Sequence, residues 1–97
     1  MPAQLQFEWD TQKDANNQAK HGVSFAEARK AFEDNKRVIV EDLEHSYSEK
    51  RWFCMGLVDE VVITVRFTLR GSTIRIIGAG RWKKGKKTYE KENKLLR

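Results

Sequence analysis

VVITVRFTLRGSTIRIIGA, residues 61–79, is the stretch whose reading decides the fold. From Val61, every second residue (Val61, Ile63, Val65, Phe67, Leu69) is apolar. Between them, Val62, Thr64, Arg66, Thr68 and Arg70 are mostly polar or charged. Successive side chains of a strand point to opposite faces, so this alternation predicts a half-buried antiparallel strand. Residues 73–79 form its return partner, with Ile74 and Ile76 on the core side and Thr73 and Arg75 on the other. Gly71-Ser72 supplies a two-residue turn, and a leading glycine suits the II′ type. That turn sets Leu69 opposite Ile74, Phe67 opposite Ile76 and Thr68 opposite Arg75. Arg66 and Arg75 then lie close together away from the core. Like charges so near on a sheet destabilise it unless something anionic sits between them. A merely solvated polar face is the alternative.

Working outward, residues 51–58 read as the preceding strand, joined through Asp59-Glu60. A two-residue turn there puts Arg51 opposite Thr68, so Arg51, Arg66 and Arg75 line one face across three adjacent strands. Met55, Leu57 and Val62 share that face towards its other end, which leaves it apolar there and basic here. Residues 38–40 are a brief strand, and residues 41–50 a charged connector holding His45, Tyr47 and Glu49. Residues 5–9 form a short first strand, with Phe7 and Trp9 on one face. Asp10 caps a polar helix that runs to about His21 and ends at Gly22. Ser24 caps a second helix, with Glu27 completing a capping box and Val23 stapling to Ala28. Phe25, Ala28 and Phe32 face the core from it. Trp9 and Trp52 read as core residues, and His21 as a helix-terminal cation before an RNA contact.

Ninety-seven residues predict a single domain. With 39% hydrophobic and 34% charged residues, the core is thin, and an oligomer or bound partner would add burial. Nineteen Lys and Arg against fourteen Asp and Glu give a formal charge of +5. The cations concentrate late, and no carboxylate occurs between Arg66 and Lys87. That asymmetry points to a polyanion, most often nucleic acid. The single cysteine, Cys54, lies in an apolar run and has no partner for an internal disulfide, which fits a reducing cytosol. No Cys/His spacing suits a structural zinc, so no metal or cofactor is expected. No signal-peptide core or membrane-length apolar run is present, which predicts a cytoplasmic protein without membrane attachment.

After residue 80 comes RWKKGKKTYEKENKLLR. Arg81, Lys83, Lys84, Lys86 and Lys87 surround Trp82, with Tyr89 following. Cations interleaved with aromatics suit a single strand of RNA, whose phosphates need neutralising and whose bases need stacking surfaces. Trp82 fits either such stacking or the core. A terminal helix is expected from Lys86, with Tyr89, Asn93 and Leu96 on one side.

Three ordered blocks carry a family likeness: FEWD with Lys13 and Asn17, then Lys20-His21-Gly22-Val23, then His45-Ser46 with Glu49 and Arg51. Across almost its full length the chain resembles the BrnT family, the toxins of type II toxin–antitoxin modules. The resemblance implies an α+β, RelE-like fold: a small antiparallel sheet, two N-terminal helices packed on one side, and a C-terminal helix. It also implies ribonuclease activity that halts translation. The implied partner is a BrnA-like antitoxin with a ribbon-helix-helix domain, through which alone the complex reaches operator DNA. One departure is visible. Many members carry Ile-Ser-Ala-Arg in the last strand and a Glu-Arg pair in the final helix. Here Ile77-Gly78-Ala79-Gly80 stands instead, with Arg81 one place later.

Metal-free RNA cleavage needs a base for the 2′-hydroxyl, cations for the phosphorane and an acid for the leaving 5′-oxygen. Arg51, Arg66 and Arg75 are the candidate clamp, since guanidinium grips phosphate oxygens in pairs. Glu49 or His45, on the connector entering the Arg51 strand, is the candidate base or acid. Arg81, Trp82, Lys83, Lys84, Lys86 and Tyr89 are the candidate RNA-binding residues, with Tyr89 as a further proton donor or stacking group. Two rival classes remain: a nucleic-acid binder that does not cut, and an interaction module whose basic surface receives an acidic antitoxin segment.

Overall fold

The computed structural model describes residues 5–94. Leu96, expected on the same side of the last helix as Tyr89 and Asn93, lies outside them. The elements are β1 (Gln6–Glu8), α1 (Thr11–His21), α2 (Phe25–Ala28), β2 (Val38–Glu41), β3 (Arg51–Val58), β4 (Val61–Arg70), β5 (Thr73–Gly80) and α3 (Lys83–Glu92). A 3-10 turn, Arg29–Glu33, continues α2, and another, Leu43–His45, follows β2.

The five strands form one sheet in the order β1-β5-β4-β3-β2. It is mixed rather than wholly antiparallel, because β1 runs parallel to β5. A chain that leaves β1 through α1 and α2 returns from the far side, so its first strand can join the β5 edge in that direction. The β3–β4 hairpin has the expected register, Arg51 opposite Thr68 and Val58 opposite Val61. Its turn residues Asp59 and Glu60 both have positive φ, 50° and 69°, the pattern of a I′ turn. The β4–β5 hairpin also pairs as expected near its turn, Leu69 with Ile74 and Phe67 with Ile76. Beyond Phe67 the register shifts, so that Arg66 faces Gly78 and Ile77 is the extra residue of a bulge. A bulge bends its strand and re-aims the neighbouring side chains. Strict alternation could not foresee it.

Each helix start follows from its cap. Asp10 accepts from the Lys13 N–H at 3.0 Å, and Gly22 closes α1 with φ 69°. Ser24 accepts from the Glu27 N–H at 3.0 Å. Asp14 then ties α1 to α2 by accepting from the Phe25 N–H at 2.9 Å. Inside this corner the Asn17 side chain, 8% exposed, donates to Val23 O and Ala79 O and accepts from Ala79 N–H. One buried amide thus fastens α1 to β5 just past the bulge.

The core side of the sheet carries Cys54, Ile63, Val65, Phe67, Ile74 and Ile76. Against them pack Val23, Phe25, Ala28, Ala31 and Phe32, with Phe7, Trp9 and Trp52 at the margin. The opposite side is not left open. Met55, Val62 and Tyr89 form a second cluster there with Val38 and Phe53, because α3 lies across that face. Its approach depends on Gly85: a Cβ at that position would stand 1.8 Å from Thr64 Oγ1 and 3.2 Å from Met55 Cγ. The helix starts at Lys83 rather than Lys86, which places this glycine inside its first turn. Asp34 locks the arrangement. Its carboxylate accepts from the Tyr89 hydroxyl of α3, the Leu57 N–H of β3 and the Lys36 N–H of the loop.

Candidate functional site

The polar end of the second face is organised around Thr68, which is 2% exposed and donates to Lys50 O at 2.6 Å. Arg51 and Arg75 flank it laterally on β3 and β5. Arg66 and Arg70 precede and follow it on the same side of β4. Four guanidinium groups therefore surround one residue, as the alternation predicted for three of them.

Carboxylates answer two of the four. Arg75 Nη1 lies 2.9 Å from Glu8 Oε2, and Arg70 Nη2 lies 3.7 Å from Glu49 Oε1. Arg51 and Arg66 join no ion pair among the described residues. Each buries its Nε without any protein acceptor. A buried charged donor left unmatched destabilises the fold, and the buried Thr64 hydroxyl on the same face lacks a partner as well.

Arg66 opens into a cleft of about 500 Å³ with three walls. The sheet supplies Phe53 and Arg66, α3 supplies Lys84, and the segment after β2 supplies His45, with Trp82 at the rim. The His45 wall is itself anchored. Ser46 Oγ donates to Asp42 O at 2.7 Å and accepts from the Arg51 N–H at 3.0 Å. The Asp42 N–H donates to Arg51 O at 2.7 Å. Asp42 is 5% exposed and its Oδ2 stands 2.9 Å from His45 Nδ1. A carboxylate only accepts, so Nδ1 carries the proton in that bond, and in the neutral form of the ring Nε2 is the nitrogen with the lone pair. An imidazole oriented in this way is equipped to take and return a proton.

The structure thus brings Arg66, His45, Lys84 and Trp82 together, with Arg51 beside them on the sheet. Glu49 points instead towards Arg70, and Arg75 is held by Glu8. Arg81, Lys83 and Lys86 border a second cleft of about 440 Å³ on the other side of Trp82, floored by Leu57, Val61 and Val62. Arg81 Nη2 lies 3.8 Å from Glu27 Oε2. Trp82 stands edge-on to His21, with ring centroids 5.2 Å apart. Tyr89 does not stand ready for RNA. It is 1% exposed, and burial with its bond to Asp34 pushes its hydroxyl up to about 12. Asp42 was missed by sequence reading, although its place three residues before a histidine in a charged connector was the available signal.

Fold and cleft together define a small basic α+β protein with a slot between sheet and C-terminal helix, lined by Arg66, Lys84 and His45 and also by Glu41, Asp42 and Glu44. The chain belongs to the BrnT family: the family model described as ribonuclease toxin, BrnT, of type II toxin-antitoxin system matches residues 9–85. RNA is the target that this family implies, and an antitoxin its partner. No curated protein matches the chain. Among the described residues, no helix is long and apolar enough to cross a membrane.

Proposed function

We propose that this single-domain, RelE-like chain is an active endoribonuclease of the cytoplasm that cleaves RNA without a metal and so halts translation. The observation that carries the reading is that the Arg66 guanidinium, in no ion pair among the described residues, and an imidazole held by Asp42 line one cleft. A phosphodiester in the cleft meets the Arg66 guanidinium, with Arg51 beside it on the sheet. His45 Nε2 takes the 2′-hydroxyl proton, and the oxygen attacks phosphorus. Arg66 and Arg51 hold the charge that grows on the equatorial oxygens, and Lys84 stabilises the departing 5′-oxygen. Lys84 gives that oxygen a proton as the P–O5′ bond breaks, so the products are a 2′,3′-cyclic phosphate and a free 5′-hydroxyl, and the proton held by His45 is returned through solvent to restore Lys84. Trp82 offers a ring for a neighbouring base, while Lys83, Lys86 and Arg81 carry the strand onward. Arg75, engaged by Glu8, shapes the local field and holds β1.

A BrnA-like ribbon-helix-helix antitoxin neutralises the toxin and brings the complex to its operator. Incubating purified protein with a defined RNA tests the reading: cleavage should leave cyclic-phosphate ends. Arg66→Ala and His45→Ala should each lower the rate about a hundredfold or more, while Arg75→Ala has a smaller effect. RNA that is retarded yet stays whole at high protein would instead make the chain a binder. Full cleavage by both the Arg66 and His45 variants would remove this cleft from the mechanism.

A further inference from the structure

The sheet has two edges, β1 and β2, and β2, paired only with β3, is the longer. Eight large apolar side chains are exposed among the described residues, and four of them, Ile39, Val40, Leu43 and Tyr47, fall on or just after this strand. An exposed apolar edge is a template for another strand. The sequence across it, Lys36-Arg37-Val38-Ile39-Val40-Glu41-Asp42, is antisymmetric in charge about Ile39. From these observations we infer that β2 pairs antiparallel with β2 of a second copy of this chain, on a two-fold axis through Ile39.

Backbone geometry narrows the register. Along β2 the outward-pointing N–H and C=O groups belong to alternate residues. Two copies of one strand therefore bond only in registers centred on a residue. Centring on Val38 sets Arg37 against Ile39, and centring on Val40 sets Glu41 against Ile39. Centring on Ile39 sets Ile39 against Ile39, Val38 against Val40 and Arg37 against Glu41, twice by symmetry. Neither Arg37 nor Glu41 joins an ion pair among the described residues. The result is a continuous sheet with five strands from each copy. Val40 and Leu43 line the cleft that holds His45, so both clefts border the new seam on one face.

Sedimentation equilibrium of the purified protein over a wide concentration range tests this, with circular dichroism as a control for folding. A dimer is expected. Glu41→Arg or Arg37→Glu alone should weaken it about tenfold or more, and the double reversal should restore it. Ile39→Asp, which sets two carboxylates face to face on the axis, should give a folded monomer. A wild-type chain that stays monomeric overturns the inference, as does a dimer indifferent to the single reversals. A β2 edge covered only when antitoxin is added would show that the partner, not a second copy, takes this strand.

Discussion

Asp42 lines the cleft beside His45, and its value lies in the direction in which it holds the ring. The contact is 2.9 Å long and its carboxylate is almost wholly buried, so the imidazole has one preferred orientation. Asp42→Asn keeps the size of the side chain but weakens the grip on Nδ1–H. We expect the cleavage rate constant to fall about tenfold to a hundredfold with RNA affinity little changed; equal losses in both would mean that the turn had collapsed. Glu60 illustrates a different residue-level tension. Its φ of 69° is a conformation that side-chain-bearing residues adopt at a penalty, and glycine does not. Glu60→Gly should therefore raise stability by about 1 kcal/mol, read from the denaturant midpoint. At this scale the sequence was informative about guanidinium groups and poor about carboxylates. Alternation placed Arg51, Arg66 and Arg75 on one face. It carried no sign that Glu8, from the far edge of the sheet, would occupy Arg75, or that Glu49 would turn to Arg70.

Among the elements, α3 decides the shape of the cleft. Replacing Gly85 with alanine would add about 1 kcal/mol of helix propensity. The new methyl, however, would need the space of Thr64 Oγ1, and overpacking of that kind destabilises by about 1–3 kcal/mol. Crowding should win: Gly85→Ala is expected to lower the melting temperature and to speed amide exchange in α3. Asp34 gives the docking a pH signature. Burial works to raise its carboxyl, but bonds from Leu57 N–H, Tyr89 hydroxyl and Lys36 N–H outweigh that and hold it below its ordinary 3.8. A depressed carboxyl contributes stability that is fully present above pH 3.8 and is lost as the pH falls through its folded value. At the other end Tyr89, raised from 10.0 to about 12, contributes stability below pH 10 that disappears as the pH climbs through 12. Asp34→Asn should flatten the acid limb of the stability curve, and Tyr89→Phe the alkaline limb. The helix itself was legible in RWKKGKKTYEKE, three residues late at its start, because a lysine-rich run with a glycine looks like loop. The glycine was a contact point whose reason lies on a strand some twenty residues earlier.

For the whole molecule, charge and thin core were the safest sequence-level statements, and both are visible in the layering. The N-terminal helices cover one face of the sheet and α3 covers the apolar end of the other. The remaining polar surface gathers where the late cations lie. The hairpins of β3, β4 and β5 were readable because turn chemistry and alternation are local signals. The parallel placement of β1 and the bulge at Ile77 were not, since each answers to contacts between distant segments, Asn17 with Ala79 among them.

The third wall of the cleft comes from Lys83–Glu92, translated after every strand of the sheet. The strands therefore make their mutual hydrogen bonds without any contribution from Lys84 or Trp82. With α3 undocked, Arg51 and Arg66 would stand on an open surface, and the cleft would lack the wall that carries Lys84. Closing the site is thus a docking step separate from building the sheet.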